Sequence, residues 1–198
     1  EKDILADPRR DVVLQQIRFT ALQGRSEDYH LYALLAPHLG NRGAGNTAWV
    51  GDCKGVPMLF AERDGNALAL VCSAPWRKRS VGFVGVSDPW QDLVRHRLLT
   101  WEYARAENGN VALCGEVDLA ATEGTFLLAL GFGSNAAEAG NRALASLYTG
   151  FESAQTRYTS QWQEWQRTLP DLDGAEADEH HLFRVSTAVL RTHESKRF

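Results

Sequence analysis

The hydrophobic periodicity of this chain changes once, at Ser134-Asn135, and that change constrains the fold more than any other feature. Before it, apolar residues alternate in short runs broken by Gly, Asn and Asp, as in half-buried strands. After it, they recur at spacings of three and four, as along one face of a helix. Residues 12–22 set Val13, Gln15, Ile17, Phe19 and Ala21 on one parity, against mostly polar neighbours. Further strands are expected over 29–35, 57–62, 67–72, 80–86, 101–106, 111–117 and 124–132, and a Gly/Asn-rich loop over 39–46. Asp64-Gly65-Asn66 and Asn108-Gly109 suit turns with positive φ, so each predicts a hairpin. No β-α-β alternation appears, which disfavours a parallel sheet and points to an antiparallel sandwich.

Past the change, Ser134 or Asn135 is placed to cap a helix, with Glu138 favouring its positive end. Leu144, Leu147, Tyr148, Phe151, Tyr158, Trp162, Trp165 and Leu169 then form one apolar stripe. A continuous helix over 136–169 would be about 50 Å long. Gly140 and Gly150 weaken it, and a kink or break is expected near Gly150. Pro170 ends the helix, 170–179 is short and acidic, and a second amphipathic helix starts near His180. That helix carries Leu182, Val185, Ala188, Val189 and Thr192 along one side.

Charge and composition exclude several functions. Of 198 residues, 21 are Lys or Arg and 25 Asp or Glu, giving a net charge of −4, so a dedicated nucleic-acid binder is not expected. No apolar run is long enough to span a bilayer, so no membrane partner is expected either. Cys53, Cys72 and Cys114 form no C-x-x-C pair, and Cys72 and Cys114 sit in apolar runs that favour buried, reduced thiols.

Motifs with chemistry are few. Gly40–Gly45 lacks the Gly-Lys-Ser/Thr ending of a phosphate loop, and Gly131-Phe132-Gly133 lacks the third glycine of a dinucleotide fingerprint. His180-His181 beside Asp171, Asp173, Glu176 and Asp178 reads as a solvated helix start, and no metal site is assigned. There is no G-x-S-x-G elbow. Glu116 and Asp118 share one face of a strand, expected to be the solvated one, and no His-Glu acid/base pair is legible. Of the six tryptophans, Trp162 and Trp165 read as packing residues, and Trp101 supplies a further flat ring. Trp49, Trp76 and Trp90, near loops or strand ends, are the candidates for stacking on a sugar.

Four strings carry a resemblance. Residues 47–61 (Thr-Ala-Trp-Val-Gly-Asp-Cys-Lys-Gly-Val-Pro-Met-Leu-Phe-Ala) resemble the N-terminal domain of bacterial glucoamylases and glucodextranases, glycoside hydrolase family fifteen. So do residues 79–88 (Arg-Ser-Val-Gly-Phe-Val-Gly-Val-Ser-Asp), followed by Trp90-Gln91-Asp92-Leu93. Residues 141–147 (Asn-Arg-Ala-Leu-Ala-Ser-Leu) resemble the opening of the family's interdomain linker. Residues 185–198, from Val-Ser-Thr-Ala-Val-Leu to Phe198, resemble the first helix of its catalytic barrel.

The resemblance implies a mainly β fold: an antiparallel super-β-sandwich of the galactose-mutarotase-like type, a long helical linker and the start of an (α/α)6 barrel. It implies a sandwich over 1–133 that lacks its first strands, a linker over 134–179 and a barrel helix over 180–198. The catalytic glutamates of an inverting exo-hydrolysis of α-glucan to glucose would lie beyond Phe198, so no catalytic residue is assigned to this chain. With no initiator Met and an end inside a helix, the chain is expected to be a piece of a longer protein. The linker helix would pack on the barrel, and α-glucan would be met through it. The resemblance admits calcium in the parent enzyme without placing a site; no other cofactor is expected. A secreted or periplasmic parent is expected. The rival expectation is a free-standing carbohydrate-binding or interaction module. An epimerase-like activity, by analogy of fold, carries little weight.

Overall fold

The computed structural model describes residues 1–170 and 181–193. The acidic stretch 171–179, His180 and residues 194–198 lie outside the described residues. The chain divides into two compact units, Glu1–Gln155 and Thr156–Phe198.

The first unit is an open antiparallel sandwich. The larger sheet has seven strands in the order β1 (Lys2–Ala6), β2 (Val12–Arg18), β10 (Thr125–Gly133), β6 (Asn66–Cys72), β5 (Val56–Arg63), β4 (Asn46–Cys53) and β8 (Arg105–Gly109). The smaller has β3 (Leu31–Leu35), β9 (Val111–Val117) and β7 (Trp76–Phe83). Between them lies the core, with Leu59, Val81, Val111 and Leu113 fully buried. The large sheet outreaches the small one, and a cavity of about 480 Å³ opens between them, walled by Val13, Ile17, Leu31, Leu35, Phe126 and Leu128.

The sandwich reading agrees with the structure, while several local expectations are corrected. The Asp64-Gly65 hairpin forms, with φ of 46° and 73° at the two turn residues, the geometry that matches strand twist. Asn108-Gly109 makes no hairpin: β8 pairs with β4, whereas β9 pairs with β3 and β7. Asn108 does adopt a φ of 53°, but the chain crosses there from one sheet to the other. Gly109 is needed because a Cβ would strike the ring of Phe83. The first two-thirds is also not all strand. Helix α1 (Pro89–His96) forms because Asp88 caps it, accepting from the Gln91 N–H at 3.2 Å, with Pro89 at the first helical position. Residues 101–104 are irregular, and β1 and β4 lie outside the expected strands.

Helix α2 (Ala136–Thr149) covers the outer face of the large sheet. Asn135 is its cap, accepting from the Glu138 N–H at 2.9 Å. Gly131 and Gly133 let it approach: a Cβ at Gly131 would meet the backbone of Ala139 and Ala143. That close contact is what the Gly-Phe-Gly string provides. Ser146 on α2 donates to the buried Asp7 carboxylate at 2.6 Å, and the Arg9 N–H and Arg10 side chain donate to it as well. Burial pulls the Asp7 pKa upward, but these bonds outweigh it and hold the group below the usual carboxylate range.

The long helix is broken at Gly150, whose φ of 81° and ψ of 157° end α2 before α3 (Phe151–Arg167) begins. The single stripe therefore does not exist: Leu144 and Phe151 are buried, while Tyr148 is 77% exposed. In the second unit Trp162 packs edge-on to Trp165, with centroids 5.3 Å apart, and the Arg191 guanidinium lies over Trp165. Helix α4 (Leu182–Thr192) is amphipathic as expected, and its Leu182, Val185, Val189 and Leu190 are all exposed.

Candidate functional site

The three candidate tryptophans are placed apart and in different settings. Trp49 on β4 has Phe60 of β5 and Arg105 of β8 as its cross-strand neighbours on either side. Phe60 stacks on it at 5.4 Å, and the Arg105 guanidinium lies over the ring at 5.4 Å. Trp76 opens β7, donates from its indole N–H to the Pro57 carbonyl at 3.2 Å, and lies so close to Gly115 that a Cβ there would enter its ring. Trp90 stands on α1 and is 56% exposed.

Helix α1 is inverted relative to an ordinary surface helix. Trp90 and Val94, four residues apart and hence on one face, point to solvent, whereas Asp92 is 0% exposed. The Asp92 carboxylate accepts from the Trp101 N–H at 2.6 Å, from the Thr100 N–H and hydroxyl, and bonds His96 Nδ1 at 2.7 Å. Burial pushes the Asp92 pKa up, yet these donors together bring it below the ordinary value. The helix is thus tied by polar bonds to residues 100–101, where His96 packs edge-on to Trp101 and Arg95 lies over the same indole. Val84 and Val86 of the preceding turn are exposed as well.

Glu116 is not on a solvated face. It is 5% exposed and bonds His30 Nδ1 at 2.8 Å. The structure thus brings together a His-Glu pair that the sequence concealed, because the two residues are 86 positions apart. Register places Tyr32 and Lys78 on either side of Glu116 in the same row of the small sheet. A buried carboxylate beside a half-exposed imidazole fixes its orientation; here it also ties the entry of β3 to β9. Asp118 remains partly exposed, held by Arg77 at 3.0 Å.

Cys72 and Cys114 are buried and free, and burial pushes each thiol up to about 12, which suppresses the reactive thiolate. Cys53 is free and partly exposed. Among the described residues, no group of three or more His, Cys, Asp or Glu side chains converges to hold a metal ion. No described helix is long and apolar enough to cross a membrane, which says nothing of spanning strands.

The family described as "Glucodextranase, domain N" matches residues 1–167. A glucoamylase of Clostridium sp. (strain G0005) is 29% identical over 195 residues, which cover 98% of this chain and 27% of that protein. The crystal structure of a bacterial glucoamylase complexed with acarbose superimposes with a TM-score of 0.89 at 31% identity, over 98% of this chain and 28% of the other. A family GH92 inverting mannosidase from Bacteroides thetaiotaomicron shares the fold alone, with a TM-score of 0.54 at 8% identity, over 79% of this chain and 19% of its own. This chain therefore spans little more than a quarter of the length of the glucoamylases it matches.

Proposed function

From the premise that the chain belongs to the glucodextranase domain N family, we propose that it is the non-catalytic N-terminal β-sandwich of a glucoamylase-type exo-glycosidase. That enzyme would hydrolyse α-glucans to glucose with inversion. The observation that carries the reading is the agreement of fold with a bacterial glucoamylase over 98% of this chain, at a TM-score of 0.89. On this reading residues 1–133 are the sandwich, 134–179 the linker and 180–198 the first helix of the catalytic barrel. The general acid and base belong to that barrel. Further strands of the sandwich cover the cavity between the two sheets, and barrel helices cover the exposed side of α4. The parent is secreted or periplasmic. Of the three tryptophans, Trp90 offers the most open surface for a glucan, since Phe60 and Arg105 flank Trp49 and Gly115 lies against Trp76.

The test is glucose release from maltooligosaccharide and from dextran. The purified 198-residue chain is expected to release none, while a polypeptide extended through the length of the glucoamylase relatives releases glucose as the β-anomer. Robust release by the 198-residue chain would overturn the non-catalytic assignment. An inactive extended polypeptide would overturn the enzyme assignment.

A further inference from the structure

The turn between β1 and β2, residues 7–11, grips α2 at three places. Asp11 Oδ2 accepts from Arg142 Nη1 at 2.9 Å, Asp7 Oδ2 accepts from the Ser146 hydroxyl at 2.6 Å, and Arg10 Nη1 donates to the Thr149 hydroxyl at 3.3 Å. Partners four and three residues apart share one face of a helix. Asp7 is the hub. Its side chain is 1% exposed, and Arg10 Nη1, at 3.2 Å, bridges it to Thr149, the last residue of α2. Among the described residues, Arg10 is the charged side chain bonded to Asp7, while α2 meets it with the neutral Ser146 and the turn adds the Arg9 N–H. Arg142 is turned to Asp11 and Glu138. The turn itself is fixed by the backbone: the Asp7 N–H donates to the Val12 carbonyl and the Phe132 N–H to the Asp11 carbonyl, each at 2.9 Å.

The two halves of α2 are held differently. The first is seated by close packing, with Ala139 and Ala143 against Gly131 and Gly133. The second ends at a break that its surroundings do not restrain: a Cβ at Gly150 would meet nothing within 4 Å, and Tyr148 is exposed. The Gly150 N–H bonds back to the Ser146 and Leu147 carbonyls at 3.1 and 3.2 Å, so the break takes its place from the turn of helix that Asp7 and Arg10 hold. Burial resumes past it, at Phe151 and Ala154. We propose that residues 7–11 are an acid-released latch on the last turns of α2, closed by the Asp7 carboxylate and opened when that group is protonated. A neutral carboxyl turns one of its oxygens into a donor, so Asp7 no longer accepts from Ser146, Arg9 and Arg10 together, and its ion pair with Arg10 is lost. Burial pulls the Asp7 pKa upward, but its donors outweigh burial and leave it lowered. The latch is therefore closed above the unfolded value of about 3.8 and opens as pH falls through the lower folded value. On the function proposed above, α2 opens the linker and the latch sets how the chain leaves the sandwich. That consequence rests on that reading, and the latch itself does not.

The test is amide hydrogen exchange of the full 198-residue chain, followed by NMR between about pH 6 and about pH 3.5 and expressed as protection factors. In the parent, protection at 147–151 is expected to fall about tenfold over that range, while 139–143 keep theirs. Asp7→Asn imitates the protonated acid. It is expected to show the lowered protection already at about pH 6, with no further fall in acid. Should that variant fold poorly, Arg10→Gln leaves the carboxylate in place and is expected to lower protection at 149–151 about threefold. The latch is overturned if acid leaves 147–151 of the parent unchanged, or if the folded variants keep the parent's protection there. It is also overturned if Asp7→Asn loses as much again in acid, or if 139–143 lose protection in step with 147–151. None of these results bears on the glucan reading, which glucose release decides separately.

Discussion

Helices α1 and α2 lie on the same sandwich and are held to it by opposite means. Helix α2 seats the buried Ala139 and Ala143 against glycines of β10, and Gly140 against Cys53 and Phe60, so its bond to the sheet is close packing. Helix α1 buries a carboxylate and turns its tryptophan and valine outward, and a set of charge-assisted hydrogen bonds ties it to residues 100–101. The difference separates roles. Apolar residues on α2 build the fold, and those on α1 are free to meet something else.

Three substitutions break the comparison in turn. Gly131→Val is expected to cost the most, about 3–4 kcal/mol, because its side chain enters the backbone of α2, which cannot yield as a side chain can. Urea denaturation of the whole unit is the measurement, and a loss below about 1 kcal/mol would show that α2 is not seated by contact with β10.

Asp92→Ala is expected to cost about 2–3 kcal/mol by stranding the donors of Thr100 and Trp101. Its effect should centre on α1 and residues 100–101, seen as faster amide exchange there. The parent chain shows the same weakness with acid. The folded pKa of Asp92, like that of Asp7, lies below the unfolded value of about 3.8, so its stabilisation is present above that value. It is lost as pH falls below about 4, and the Asp92→Ala variant should lose less over that window. Equal acid sensitivity in both proteins would remove Asp92 as a source.

Trp90→Ser is expected to change stability by no more than about 0.5 kcal/mol, since an exposed ring is being removed. A thermal melt checks it, and a large loss would make α1 an ordinary packed helix after all.

What the sequence made legible follows the range of the interactions. The Asp64-Gly65 turn was readable because its requirement for positive φ is met within the turn itself. The Asn108-Gly109 turn has the same local chemistry, yet its strands find partners in different sheets, a choice made by distant residues. The alternating strands and the cap at Asn135 were likewise local. Helix α1 carried a readable signal, Asp88 before Pro89, but eight residues are too few for a helical period to stand out, and no element is expected between 86 and 101. Burial of Glu116 was illegible because its partner, His30, lies 86 positions away in the sequence and arrives with the neighbouring strand. Exposure of Trp90 rather than Trp49 was illegible for a related reason. Trp49 is enclosed by cross-strand neighbours that the sequence does not reveal, and Trp90 is left open by the burial of Asp92 on the other side of its helix.

The place of β10 in the large sheet has a consequence for how the sandwich assembles. β10 lies between β2 and β6, and its Leu127 pairs with Gln16. On a ribosome the first hairpin, β1–β2, therefore emerges long before the strand that joins it to the rest of the sheet, and its apolar face waits through the synthesis of every other strand. Closure of so long a loop slows folding, and the unpaired edge of β2 is the element that a chaperone or a neighbouring chain meets first.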